Sequence, residues 1–111
     1  MSVEQADVVD AIGVEVETGK VILTIADHLD WSRPKDHELK LQDKLNTYLS
    51  FIESGELLES YPSARGRSLA IEVVMRVAPS PVGQEFLDRV AEIVRNAGIE
   101  FRTKVFAGDL P

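Results

Sequence analysis

Leu69-Ala70-Ile71-Glu72-Val73-Val74-Met75-Arg76-Val77, followed by Pro79-Ser80-Pro81, is the stretch that decides how this chain folds. Leu69, Ile71, Val73, Met75 and Val77 fall on every second position, the period of a strand that buries one face. Ala70, Glu72, Val74 and Arg76 take the other face. At Pro79-Ser80-Pro81 the pattern changes: Ser80 can cap a helix and Pro81 can hold its first position. Val82, Phe86, Val90, Ile93, Val94 and Ala97 then form a stripe at helical spacing, with Glu85 and Arg89 four apart on the outer face and Gly98 as the stop. Phe101, Thr103 and Val105 return to a period of two, in a last short strand.

Working back from this unit, the N-terminal side holds a hairpin and a second helix. Ile12, Val14 and Val16 alternate, as do Val21, Leu23 and Ile25, and Glu17-Thr18-Gly19-Lys20 between them supplies a glycine for the tight turn. Strands over 10–17 and 20–26 are expected to pair antiparallel. Asp27-His28-Leu29-Asp30-Trp31-Ser32-Arg33-Pro34 breaks the alternation and reads as a loop. A helix is expected over 35–54, with Leu41, Leu45, Tyr48, Leu49 and Ile52 on its inner stripe and Lys40, Asp43, Lys44, Thr47 and Glu53 outside. Gly55 stops it, and residues 56–67 form a connection long enough to cross a sheet edge.

The order is therefore ββαβαβ. Strand–helix–strand crossovers are right-handed, so two in succession place both helices on one face of the sheet. The expected fold is α+β: a two-layer sandwich with a mixed four-stranded sheet and two helices packed on one side. Thr24, Glu72, Arg76, Arg102 and Lys104 are expected on the watered face, while the strand order is left open because the 56–67 connection can return to either edge.

A chain of 111 residues, 44% of them hydrophobic, suits one domain over 1–111, with 1–7 and 107–111 expected to fray. Its apolar runs, such as Val21-Ile22-Leu23, are far shorter than the roughly 20 residues of a membrane span. Met1 to Asp7 has neither the basic start nor the apolar centre of a secretory signal, so the expected location is cytoplasmic. The absence of cysteine excludes disulfides, thiolate metal sites and cysteine nucleophiles. Residues 1–64 carry five Lys/Arg against thirteen Asp/Glu, whereas residues 65–111 carry seven against six, so the acidity belongs to the N-terminal half. A net charge of −7 without a basic run argues against nucleic acid as a partner.

Several of these segments together resemble a known family. Val8-Val9-Asp10-Ala11-Ile12-Gly13, Lys20-Val21-Ile22-Leu23-Thr24-Ile25 with Asp27-His28-Leu29-Asp30-Trp31, and Phe51-Ile52-Glu53-Ser54-Gly55-Glu56-Leu57 look like the motifs of a small uncharacterised bacterial domain family of unknown function. The likeness covers roughly the first 60 residues closely and the remainder by element order. It implies no established activity, cofactor or catalytic residue.

Asp27, His28, Asp30 and Trp31, with His37 following, make the densest polar cluster. Histidine and carboxylate suit zinc, manganese or iron, but the spacing matches no metal motif; Asp27 and His28 are a candidate acid–base pair, although neighbouring residues of an extended chain point to opposite sides, which argues against direct contact. The stronger reading is structural, with an aspartate capping the turn and Trp31 closing the end of the core. Tyr61, Arg65 and Arg67 form a candidate anion contact, two arginines around a glycine presenting a fork to carboxylate or phosphate, although an ordinary solvated turn is the simpler reading. No nucleophile elbow, phosphate-binding glycine loop or dinucleotide turn is present. No catalytic residue, metal or cofactor is assigned. The leading expectation is a non-enzymatic domain that binds another protein through its acidic N-terminal half and the Asp27–Trp31 loop, for instance as a neutralising partner of a basic toxin. The alternative is a small-ligand or metal-dependent activity around that loop and His37. Homo-oligomers through a strand edge form a third expectation.

Overall fold

The computed structural model describes Val3 and residues 8–106. The fraying expected of 1–7 and 107–111 therefore falls, Val3 apart, outside the described residues. The elements run β1 (Ala11–Val14), β2 (Val21–Asp27), α1 (Pro34–Glu53), α2 (Glu56–Ser60), a 3₁₀ turn (Pro62–Ala64), β3 (Leu69–Met75), α3 (Pro81–Asn96) and β4 (Glu100–Val105). They build an α+β fold in which a mixed four-stranded sheet of order β1-β2-β3-β4 carries helices on one face. β1 pairs antiparallel with β2, and β2, β3 and β4 run parallel. This order follows from the hairpin: β1 occupies one edge of β2, so the chain returning from α1 finds only the other edge open.

The connection expected over 56–67 is more ordered than its composition suggests. It holds α2 and the 3₁₀ turn, whose Leu57 and Ala64 sit in the core. Ser80 caps α3 as its position implies, its hydroxyl accepting the Gly83 N–H at 3.2 Å.

Side-chain periodicity fills the space between the layers. Val21, Leu23 and Ile25 of β2 and Ile71, Val73 and Met75 of β3 are buried against Leu41, Leu45 and Tyr48 of α1 and Phe86, Leu87, Val90 and Val94 of α3. Three expectations need correction. Val16, read as the last inward residue of the first strand, lies past the end of β1 in the turn and is 95% exposed. Lys44, placed on the outer side of its helix, is fully buried. The stripe of α3 is also rotated: Gly83, Leu87 and Ala91 face inward, while Val82 and Ile93 are 54% and 61% exposed. The reason lies at Gly83, where a Cβ would sit 2.7 Å from two ring carbons of Trp31, so the indole occupies the space beside a bare helical backbone.

Candidate functional site

The three parallel strands end on one rim, the location at which open parallel sheets present their ligand sites. Asp27 closes β2 there. It continues the inward series Val21, Leu23, Ile25, and so its carboxylate takes a core position and is fully buried. His37, in the second turn of α1, meets it from below with Nε2 2.6 Å from Oδ2. The other carboxylate oxygen accepts the Leu29 N–H at 3.1 Å, which folds the chain back over the strand end. His37 Nδ1 lies 3.0 Å from the Asp30 carbonyl. A carbonyl only accepts, so Nδ1 carries a hydrogen, and Nε2 is directed at the Asp27 carboxyl group. Trp31 stacks on the imidazole, with centroids 3.8 Å apart and planes at 28°, and its indole N–H donates to the Val77 carbonyl at 3.3 Å.

This arrangement consumes its own chemistry. Both imidazole nitrogens face acceptors of the protein itself, so His37 has no nitrogen left to take a proton from a substrate or to bind a metal. Asp27, Trp31 and His37 are 0%, 8% and 2% exposed and belong to the core, not to an outer contact surface. Only His28 and Asp30 of that cluster are exposed. They line a cleft of about 240 Å³ with Leu29, Ser32, Arg33 and Asp36, and the edge of His37 borders it. The Asp30 carboxylate accepts the Ser32 hydroxyl at 2.6 Å and the Ser32 N–H at 3.1 Å, bonds that hold it below the usual carboxylate range. Among the described residues no group of three or more histidines and acids converges as a metal site would require.

A second polar cluster lies about two and three turns further along α1, where the sequence pattern alone does not reveal its pairings. Lys44 donates to the Val8 carbonyl and, at 2.8 Å, to Asp10 Oδ1. Asp10 Oδ2 accepts the Ala26 N–H at 3.0 Å, and the Tyr48 hydroxyl accepts the Asp10 N–H at 2.7 Å while donating to the Thr24 carbonyl. Burial raises the Tyr48 phenol above its ordinary value. The segment before β1 is thus fastened to β2 and α1 by buried polar contacts, and Val3 extends this through its N–H to the Ala26 carbonyl at 2.9 Å. A signal existed: 37, 41, 44 and 48 are spaced as one helical line, and three of those four residues carry polar groups.

The open face of the sheet carries a chain of charges. Lys20 pairs with Glu100, Glu100 with Arg102, and Arg102 reaches Glu15 with two bonds of 2.9 and 3.2 Å. Ala70, the register partner of Glu100 on this face, is buried although it points away from the helices. Bonding to Arg102 holds the Glu15 carboxyl well below the usual range, at about 2, and Glu15 in return raises the Arg102 guanidinium.

Of the arginine-loop residues, Tyr61 is half-buried against the core. Arg67 is an internal clamp, donating to the Ser63 carbonyl at 2.9 Å and across to the Gly19 carbonyl at 3.0 Å. Arg65 is exposed beside Gly66, whose φ of +77° turns the chain. Arg65 and Arg67 border a cavity of about 400 Å³ that Tyr61 does not line. The expected two-pronged fork is therefore one arginine directed to solvent and one engaged by backbone. A larger open hollow, about 710 Å³, lies between Val9 and the outer side of α1, with Asn46, Thr47, Ser50, Phe51 and Glu56 around it.

Sequence comparison places the chain in a family. Residues 1–107 match a family of unknown function (DUF6572), and the chain belongs to it. No curated protein and no solved structure matched the chain. No helix among the described residues is long and apolar enough to cross a membrane.

Proposed function

We propose that this domain acts by binding another protein, with an acidic face of its helical layer as the contact surface. The observation that carries the reading is where charge and chemistry reside. The titratable groups with geometry suited to catalysis, Asp27 with His37 and Asp10 with Lys44, are buried and committed to one another. Carboxylates dominate what reaches solvent on α1 and α2: Asp36, Asp43, Glu53, Glu56 and Glu59 are all exposed, beside the cations Lys35 and Lys40, the latter paired with Asp36. On the same outer side of α1, Leu39 is 59% exposed and the hollow bordered by Phe51 and Glu56 opens. An apolar anchor and a recess among acids suit a basic partner, steered by charge and held by local apolar contact. A neutralising partner of a basic protein is one form of this function, and a cysteine-free chain supports a cytosolic setting for it.

Capture from a cell lysate at low and moderate salt, with the domain and its Asp43→Lys/Glu53→Lys variant run in parallel, tests the proposal. The expected result is a protein retained by the native domain, weakened by salt and lost from the variant. Retention of the same proteins by both would refute it. Asp27 is unsuitable for such a test, because reversing a buried charge unfolds the rim and does not probe a surface.

A further inference from the structure

Among the cavities of the molecule, the one beneath the arginine loop differs in chemistry. Ile52, Leu57, Leu58 and Leu69 form its apolar walls, Arg65 and Arg67 stand at its border, and no acid lines it. The hollow beside α1 includes Glu56, and the cleft at the strand rim includes Asp30 and Asp36. In a chain with a net charge of −7, a recess whose only charged lining residues are two guanidiniums is a local reversal of the prevailing field.

Its volume, about 400 Å³, is in the range of small-molecule sites. Leu57 and Ala64, 2% and 3% exposed, give it a fixed floor. The loop is held as well: the Ala64 N–H donates to the Tyr61 carbonyl at 3.0 Å, the Arg67 N–H donates to the Ala64 carbonyl at 3.1 Å, and the Arg67 side chain bonds two further carbonyls. That bracing spends donors of Arg67 and leaves Arg65 as the cation with donors to offer. A recess formed before the ligand arrives loses little ordering entropy on binding.

We infer that this recess is a binding site for a small amphipathic carboxylate, its apolar body against Ile52, Leu58 and Leu69 and its carboxylate on the Arg65 guanidinium. Arginine presents a planar pair of N–H donors to a carboxylate, and the apolar walls supply contact area that acetate is too small to use.

Heteronuclear NMR titration of the intact domain with octanoate, octan-1-ol and acetate tests the site. Octanoate is expected to shift the methyl resonances of Leu57, Leu58 and Leu69 and the Arg65 Nε–H, and to bind on the order of tenfold more tightly than octan-1-ol, the difference one charge-assisted bond at a half-open site makes. Acetate is expected to produce no shift there. Arg65→Gln should lower octanoate affinity to that of octan-1-ol and leave octan-1-ol unchanged, while Leu58→Glu should abolish octanoate binding. Equal affinity for the acid and the alcohol, an unaltered octanoate affinity in Arg65→Gln, or shifts confined to other surfaces would each overturn the assignment. None of these readouts depends on a protein partner, so this site and the acidic face stand or fall separately.

Discussion

Replacing Gly83 with alanine should destabilise the protein, although the same change at an ordinary interior helix position stabilises by about 0.5–1 kcal/mol through reduced backbone entropy. The added methyl would lie 2.7 Å from Cε3 and from Cζ3 of Trp31. Carbon atoms rest at about 3.5–4.0 Å, so the ring or α3 has to retreat by roughly 1 Å. The indole is poorly placed to do so, being stacked on His37, bonded to the Val77 carbonyl and 8% exposed. Overpacking of this kind costs about 1–3 kcal/mol, which outweighs the smaller helix gain available at Gly83, the third residue of α3, and lowers Tm by several degrees. Urea unfolding followed by circular dichroism reads the difference. Repeating it in a Trp31→Leu background provides a double-mutant cycle in which the penalty should disappear and Gly83→Ala should turn neutral or stabilising. A Gly83→Ala protein as stable as the parent, or an equal penalty without the indole, would refute the account of how α3 is seated.

Lys44→Met keeps the length of a buried side chain but leaves the Asp10 carboxylate, 5% exposed, without its cation, and should cost about 3–5 kcal/mol in urea unfolding. Adding Asp10→Asn should recover part of that loss, since a neutral amide oxygen still accepts the Ala26 N–H. Glu15 bonded to Arg102 titrates in the fold at about 2 against an ordinary 4.5, so its contribution is complete above about pH 4.5 and fades as pH falls toward 2. The midpoint of urea unfolding measured across that window should therefore fall less steeply in Glu15→Gln, and a parallel pair of curves would show that the bridge contributes nothing. Raising the salt concentration should weaken this same term, because the pair is partly exposed.

How much could be read in advance differs between the frame and the polar interior. Strand and helix spacing, the Gly19 turn, the Ser80 cap and the one-sided crossovers all follow from local residue pattern and chain handedness, which is why element order and layer arrangement are legible in the residues alone. Position along the chain also shows that Asp27 continues an inward series and that Lys44 falls on the line of Leu41 and Tyr48. It does not show that such groups are affordable inside, because burying a charge depends on partners remote in sequence. Asp10 lies 34 residues from Lys44, and Asp27 lies 10 from His37. Composition alone therefore puts polar residues outside, and only the assembled layers decide which of them have partners waiting within.

The same distinction governs the surfaces. Sequence alone determined that the N-terminal half is acidic, that cysteine chemistry is absent, and that a loop with two arginines precedes the third strand. Tertiary structure decided that Asp27 and Trp31 of the tryptophan loop are core while His28 and Asp30 stay outside, and that one arginine braces the later loop while its neighbour faces solvent beside an apolar recess. Charge is a property of composition, whereas accessibility and pairing come into being only when distant segments are brought within a few ångströms of one another.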